Sequence, residues 1–144
     1  MLKVTDLMTK KVFSLQEHDN VQTARSIMNL GRIRHIPIVD KEEQFVGLLT
    51  HRDLLSVTIS KLADIEDEVQ NEIDAAIPIR EIMRRDVTTI GPGLDLREAA
   101  ELLLQHKYGC LPVVDDGKLV GILTEADFLK LTISLMDALD KMES

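Results

Sequence analysis

The chain contains itself twice. VTDLMTKKVFSL, from Val4 to Leu15, aligns with IREIMRRDVTTI, from Ile79 to Ile90, at an offset of 75 positions. The same offset sets Ala24 on Ala99, Pro37 on Pro112, Val39 on Val114 and Asp40 on Asp115. One residue is then lost in a turn, and an offset of 74 brings Val46 onto Val120, Gly47 onto Gly121, Thr50 onto Thr124 and Asp53 onto Asp127. The gap falls opposite Asp115-Asp116-Gly117, where a surface turn absorbs it. Such a chain folds as two copies of one supersecondary unit, and any site in one copy has a counterpart in the other.

Each copy carries the same order of elements. Val12–Leu15 and Val87–Ile90 are short β-prone segments. A helix follows, with Asn20 and Asp95 at its caps and Glu98 placed to complete a capping box with Asp95. Val21, Ala24 and Met28, and likewise Leu96, Ala99, Ala100 and Leu103, recur at three-to-four spacing and predict one buried stripe per helix. Ile36–Val39 with Phe45–Leu49, and Leu111–Val114 with Leu119–Leu123, then read as antiparallel hairpins. A second helix starts near Thr50 or Thr124. The boundaries expected from this order are a first domain over 1–60, a helical linker over 61–77 and a second domain with a C-terminal helix over 78–144.

In the first copy Leu55, Ile59, Leu62, Val69 and Ile73 continue an apolar stripe through an acidic stretch containing Asp64, Glu66, Asp67, Glu68, Glu72 and Asp74. In the second, Leu129, Ile133, Met136 and Leu139, broadened by Leu135 and Met142, run toward the C-terminus. Helices this apolar on one side predict packing partners, and self-association as a homodimer is expected.

Composition narrows the function. With 17 Lys and Arg against 25 Asp and Glu, the net charge of −8 repels a phosphate backbone, so nucleic acid is not an expected partner. A 44% hydrophobic content supplies a core, and with aromatics at 3% that core is aliphatic. The single cysteine, Cys110, excludes an intrachain disulfide and fits a reducing cytoplasm. No apolar run reaches the roughly 18–20 residues that span a bilayer, so the expectation is a soluble, unprocessed chain without membrane insertion.

The distinctive local pattern is Gly47-Leu48-Leu49-Thr50-His51-Arg52-Asp53 and its copy Gly121-Ile122-Leu123-Thr124-Glu125-Ala126-Asp127. Both place a Thr at a strand end and an Asp three residues later, a capping box whose acid also suits the first helical turn. The same hydroxyl and carboxylate can hydrogen-bond ribose hydroxyls, and free backbone N–H groups there can face a phosphate. The two copies differ in charge. Arg34, His35, His51 and Arg52 accompany Thr50 and Asp53, whereas Gly109, Cys110, Glu125 and Ala126 accompany Thr124 and Asp127, so the first pair is the better candidate for a phosphorylated nucleotide. Lys10, Lys11, Arg84 and Arg85 occupy corresponding loops and read equally as solvated charge.

Other chemistry finds little support. His18, His35, His51 and His106 lack compact ligand spacing, so no metal site is expected. Cys110 before Leu111-Pro112 reads as a buried structural thiol. No acid-base constellation, GxGxxG fingerprint or Walker loop is present, and the expectation is a protein that is not an enzyme and has no catalytic cofactor.

Taken together, Asp6-Leu7-Met8 and Glu81-Ile82-Met83, Arg34-His35-Ile36-Pro37-Ile38-Val39 and Gly109-Cys110-Leu111-Pro112-Val113-Val114, and the two Gly-x-x-Thr-x-x-Asp endings resemble the cystathionine-beta-synthase-type (CBS) domain pair, or Bateman module. The resemblance covers nearly the whole chain. It implies an α+β fold of two β-α-β-β-α repeats packed sheet to sheet about a pseudo-two-fold axis. It also implies inter-domain clefts that take AMP, ADP, ATP or S-adenosylmethionine. Carried over by position, Thr50, Asp53, Thr124 and Asp127 would meet ribose or phosphate. Ser14 and Thr89, with Ile36, Pro37, Leu111 and Pro112, would border the base.

Magnesium stays open, since a bound phosphate can recruit it without a protein-only cage. The expected function is a free-standing regulatory module whose nucleotide state is signalled through dimer contacts or an unidentified regulated protein. The alternative is a ligand-independent dimerisation or scaffold protein, supported by the two long apolar stripes.

Overall fold

The computed structural model describes residues 1–57 and 67–143. In chain order the elements are α1 (Val4–Leu7), α2 (Val21–Gly31), β1 (His35–Val39), β2 (Phe45–Thr50), α3 (His51–Leu55), α4 (Asp67–Ala76), a 3-10 turn (Ile79–Glu81), α5 (Leu96–His106), β3 (Cys110–Asp115), β4 (Lys118–Thr124) and α6 (Glu125–Glu143). This is the expected α+β tandem, and the repeat is visible in its details. Both hairpins are antiparallel, and each breaks register at the same place, between Ile38 and Val39 and between Val113 and Val114. Both helices after the first β segment end on a non-glycine residue in the left-handed region, Arg32 at φ 52° and Lys107 at φ 54°.

The chain divides into two compact units, and their limits are not those of the sequence repeat. One unit is Phe13–Val87; the other joins Met1–Val12 to Thr88–Ser144. The opening segment of each copy is thus exchanged. In the Phe13–Val87 unit the core of Val21, Ala24, Met28, Ile36, Ile38, Leu49 and Leu54 is completed by Ile79 from the second copy. In the other unit Leu96, Ala99, Leu103, Leu111, Val113 and Leu123 enclose Val4 from the first. Val4 and Ile79 occupy the same repeat position and are both fully buried, a burial that stabilises each unit by about 1.5–3 kcal/mol.

Backbone hydrogen bonds hold the exchanged segments in matched sets. Val4 N donates to Leu94 O at 2.9 Å, Thr5 N to Pro92 O at 3.0 Å, and Leu96 N to Leu2 O at 2.9 Å. Their counterparts are Ile79 N to Asp19 O at 2.7 Å, Arg80 N to Glu17 O at 3.0 Å and Val21 N to Ile77 O at 3.0 Å. Each segment then runs along the outer edge of a hairpin. Leu48 and Arg84 exchange hydrogen bonds of 2.9 and 2.8 Å, as Thr9 and Ile122 do at 2.9 and 3.0 Å. The opposite edge of each hairpin carries Leu15 or Ile90 in a single parallel bridge. The β-prone stretches Val12–Leu15 and Val87–Ile90 therefore contribute one bridged residue each rather than full strands.

Two sequence expectations are modified. Asn20 caps α2 as predicted, accepting from Thr23 N at 2.9 Å, but Asp95 forms no capping box. Its carboxylate is drawn instead to the Lys3 ammonium of the exchanged segment, which holds it below the ordinary carboxylate range through hydrogen bond and charge. On α4 the most buried side chain is an acid: Val69 is exposed, while Asp74 is fully enclosed. Arg25 of α2 donates to Asp74 at 2.7 Å from Nε and 3.3 Å from Nη2, and Gln70 adds a bond of 2.8 Å. The stripe residues Ile59 and Leu62, with Asp64 and Glu66, lie outside the described residues. On α6 the predicted stripe is present and uncovered, with Leu129, Ile133, Leu135, Met136, Leu139 and Met142 all exposed.

The close approach at the hairpin edges requires glycine. A Cβ on Gly47 would lie 2.7 Å from Arg84 O, and one on Gly121 would lie 2.9 Å from Thr9 O. Gly47→Ala is expected to cost about 1–3 kcal/mol in urea unfolding. Gly93→Ala, at a site with nothing within 4 Å, should stay within about 0.5 kcal/mol of the parent. Asp74→Ala, which strips the largely buried Arg25 guanidinium of its carboxylate, is expected to cost about 3–5 kcal/mol in the same assay.

Candidate functional site

Each hairpin delivers its second strand into a helix at the Thr–Asp motif, so strand end and first turn share one short stretch of backbone. At the first motif Asp53 N donates to Thr50 Oγ1 at 3.2 Å, and Thr50 N donates back to Asp53 Oδ2 at 2.8 Å. This completes the capping box read from the sequence. At the second, Thr124 N donates to Asp127 Oδ2 at 3.0 Å and the Thr124 hydroxyl lies 3.4 Å from the same oxygen. Both aspartates are buried, at 9% and 7% exposure, while both threonines are half-buried. A buried carboxylate held by two donors is oriented rather than mobile, and a carboxylate oxygen can accept more than one hydrogen bond.

The remaining oxygen of each carboxylate is met by the exchanged segment. Arg84 donates from Nε to Asp53 Oδ1 at 3.0 Å, and Thr9 donates from Oγ1 to Asp127 Oδ1 at 3.1 Å. Thr9 and Arg84 occupy the same repeat position, so each carboxylate takes a donor from that position, charged at Asp53 and neutral at Asp127, while the threonine hydroxyl accepts from Asp53 N at the first motif and faces the Asp127 carboxylate at the second. From the sequence Arg84 reads as one of four loop cations, with nothing local to attach it to Asp53. The 75-residue offset carried the signal, because it pairs Arg84 with Thr9, but only the fold shows what that position touches.

The other candidates divide between the units without mixing. Arg34, His35, His51 and Arg52 fall with Thr50 and Asp53. His51 N donates to Arg34 O at 2.8 Å, and His35 pairs across the hairpin with Thr50. Arg34, His51 and Arg52 are exposed and His35 is half-buried. Ser14, half-buried, lies just before the Leu15 bridge; Thr89, exposed, lies just before that of Ile90. Ile36 and Leu111 are core residues with fully buried side chains, and Pro37 and Pro112 are also buried. Arg85 is engaged by Glu17 at 3.1 Å.

A shallow cleft of about 400 Å³ beside Met1, Leu2, Leu96 and Phe128 includes none of the Thr–Asp residues. Among the described residues no group of three or more His, Cys, Asp or Glu side chains is arranged to hold a metal ion, and no helix is long and apolar enough to cross a membrane. Cys110, which pairs with Thr124 across its hairpin, is buried, and that burial pushes its thiol up to about 12. It is a packed thiol rather than a nucleophile.

Comparison with known proteins agrees with this architecture. The family model described as CBS domain matches residues 4–60 and 79–134. A Vibrio cholerae protein assigned to acetoin utilization, AcuB, superposes with a TM-score of 0.82 at 34% identity, over 98% of this chain and 97% of that one. The structure of CBSX2 in complex with AMP gives a TM-score of 0.78 at 25% identity, over 94% and 99%. The CBS domain pair of MJ0100, in complex with 5′-methylthioadenosine and S-adenosylmethionine, gives 0.74 at 27% identity, over 93% and 98%. The chain spans 42%, 23% and 14% of the length of three curated relatives matched at 31–33% identity.

The raised Cys110 pKa has a direct readout. The folded state holds the thiol proton more tightly than the unfolded chain, so the stability this contributes is intact below the ordinary value of 9.0 and is lost as pH rises toward about 12. At pH 8 an alkylating reagent is expected to leave Cys110 unmodified in the native protein and to label it fully in denaturant, as mass spectrometry would show.

Proposed function

This chain is a tandem CBS-domain protein, and from that premise we propose that it is a regulatory module, without catalysis of its own, that binds an adenosine nucleotide or related adenosyl ligand at its Thr–Asp pairs. The observation that carries the reading is the pair of buried aspartates, each oriented by its own helix start and each retaining acceptor capacity. The vicinal hydroxyls of a ribose are donors that such a carboxylate can take together, and the neighbouring threonine hydroxyl supplies a further donor or acceptor. The AMP complex of CBSX2 and the 5′-methylthioadenosine and S-adenosylmethionine complex of MJ0100 support adenosine as the shared part of the ligand. Thr50, Asp53, Arg34, His35, His51 and Arg52 form one set of binding residues, and Thr124 and Asp127 anchor the other. Ser14, Thr89 and the Ile36-Pro37 and Leu111-Pro112 backbone border the base.

Ligand state is read out by a second subunit or a regulated protein. The exposed apolar side of α6 supports a homodimer as the receiver. That same surface favours a second reading, a ligand-independent dimerisation scaffold.

Calorimetric titration of the ligand-stripped chain with AMP, ADP, ATP and S-adenosylmethionine, with and without magnesium, separates the two. Binding is expected, and Thr50→Ala/Asp53→Ala or Thr124→Ala/Asp127→Ala should each weaken its own site by about 10- to 100-fold. Sedimentation of the same samples should show a dimer whose shape or assembly changes on saturation. A persistent dimer with no response to any of these ligands would replace the regulatory reading with the scaffold.

A further inference from the structure

The two Thr–Asp pairs are built alike and charged differently, and the difference converges on one position. Asp53 Oδ1 is met by the Arg84 guanidinium and Asp127 Oδ1 by the Thr9 hydroxyl, at 3.0 and 3.1 Å. Position by position the same contrast surrounds them: Arg34 against Gly109, His51 against Glu125, and Arg52 against Ala126. We infer that Arg84 sets the ligand class of the first pair, making it the site for a phosphorylated adenosine compound, while the Thr124–Asp127 pair takes a phosphate-free one. This rests on the adenosine reading and deepens it.

The geometry explains how one side chain does this. Asp53 is nine-tenths buried, but the Arg84 side chain is 54% exposed, so the acid is fixed and the base can move. Arg84 engages Asp53 through Nε, and its two terminal amino groups carry no other hydrogen bond among the described residues. Ribose hydroxyls that donate to Asp53 compete with Nε for Oδ1. A ligand carrying phosphate offers the displaced guanidinium a charge-assisted, bidentate partner, with Arg34 and Arg52 in the same unit adding positive charge. A phosphate-free ligand breaks the Arg84–Asp53 pair and returns nothing to it. At the second pair the competing donor is a neutral hydroxyl, so a phosphate-free ligand faces no such loss. A phosphate there meets Glu125 and Asp127, with Lys10 the basic residue nearest in sequence to Thr9.

The test compares AMP with adenosine by calorimetry on the full chain, with the other site silenced in each case by Asp127→Ala or Asp53→Ala. The first site is expected to prefer AMP by about tenfold or more, and Arg84→Thr should cut that preference to about twofold. It should do so by weakening AMP while adenosine binds as well or better. Arg84→Lys, which keeps the charge but not the bidentate fork, should retain part of the preference, between those of the parent and Arg84→Thr. Thr9→Arg should confer about a tenfold AMP preference on the second site, and it carries the same test if Arg84→Thr does not fold. Measurable AMP and adenosine binding whose ratio is unmoved by both Arg84→Thr and Thr9→Arg would overturn the role of Arg84 and leave the adenosine reading standing. Failure of the parent chain to bind either compound would overturn both.

Discussion

In each compact unit a peptide group from the other sequence copy lies flush against a glycine of the second hairpin strand. At Gly47 the neighbour is the carbonyl of Arg84, and at Gly121 it is that of Thr9. Both approaches are too close to admit a Cβ. The rest of the architecture follows from this contact, because the same segments that lie across the glycines also insert Val4 and Ile79 into the cores. Each hairpin would otherwise have a solvent-facing edge of unpaired backbone groups, and the exchanged segment pairs with part of it. Edge pairing, core completion and close approach are therefore one structural event, repeated in both units.

That event also assembles the candidate site. The residue that lies across the glycine is one that reaches the Thr–Asp carboxylate, so the exchange carries a side chain from one copy to the buried aspartate of the other. Duplication supplies two equal scaffolds, and a change at a single exchanged position makes them unequal. With Thr9 the carboxylate keeps a neutral partner; with Arg84 it keeps a cationic one. On the proposed reading, a buried acid beside an exposed base would distinguish ligands by what they offer the base after it is displaced.

How far the sequence was legible depends on whether the relevant interaction is local. The Thr50–Asp53 capping box, the Asn20 cap and the antiparallel hairpins involve residues close in the chain, and each formed as read. The Asp95 capping box was an equally good local pattern, yet Lys3, 92 positions away, took the carboxylate. On α4 periodicity pointed to Val69 and Ile73, whereas Asp74 was the side chain enclosed, because Arg25 and Gln70 satisfy its charge. Hydrophobic patterning has no way to anticipate a buried acid whose partner lies on another helix. The α6 stripe was legible as a pattern, and it remains exposed within the single chain.

The sequence by itself determined that two copies of one α+β unit exist, where their helices and hairpins lie, that the core is aliphatic, and that the two Thr–Asp motifs are equivalent in form and unequal in charge. These are properties of composition and short-range spacing, set by residues a few positions apart. Only the tertiary structure decided that the compact units exchange their opening segments, that Val4 and Ile79 fill the opposite copy's core, and that Thr9 and Arg84 meet Asp127 and Asp53. The physical reason is that a linear repeat is equally consistent with each copy packing its own opening segment or its partner's. The choice is made by hydrogen-bonded edges, core volume and the space above two glycines, which exist only once the chain has folded.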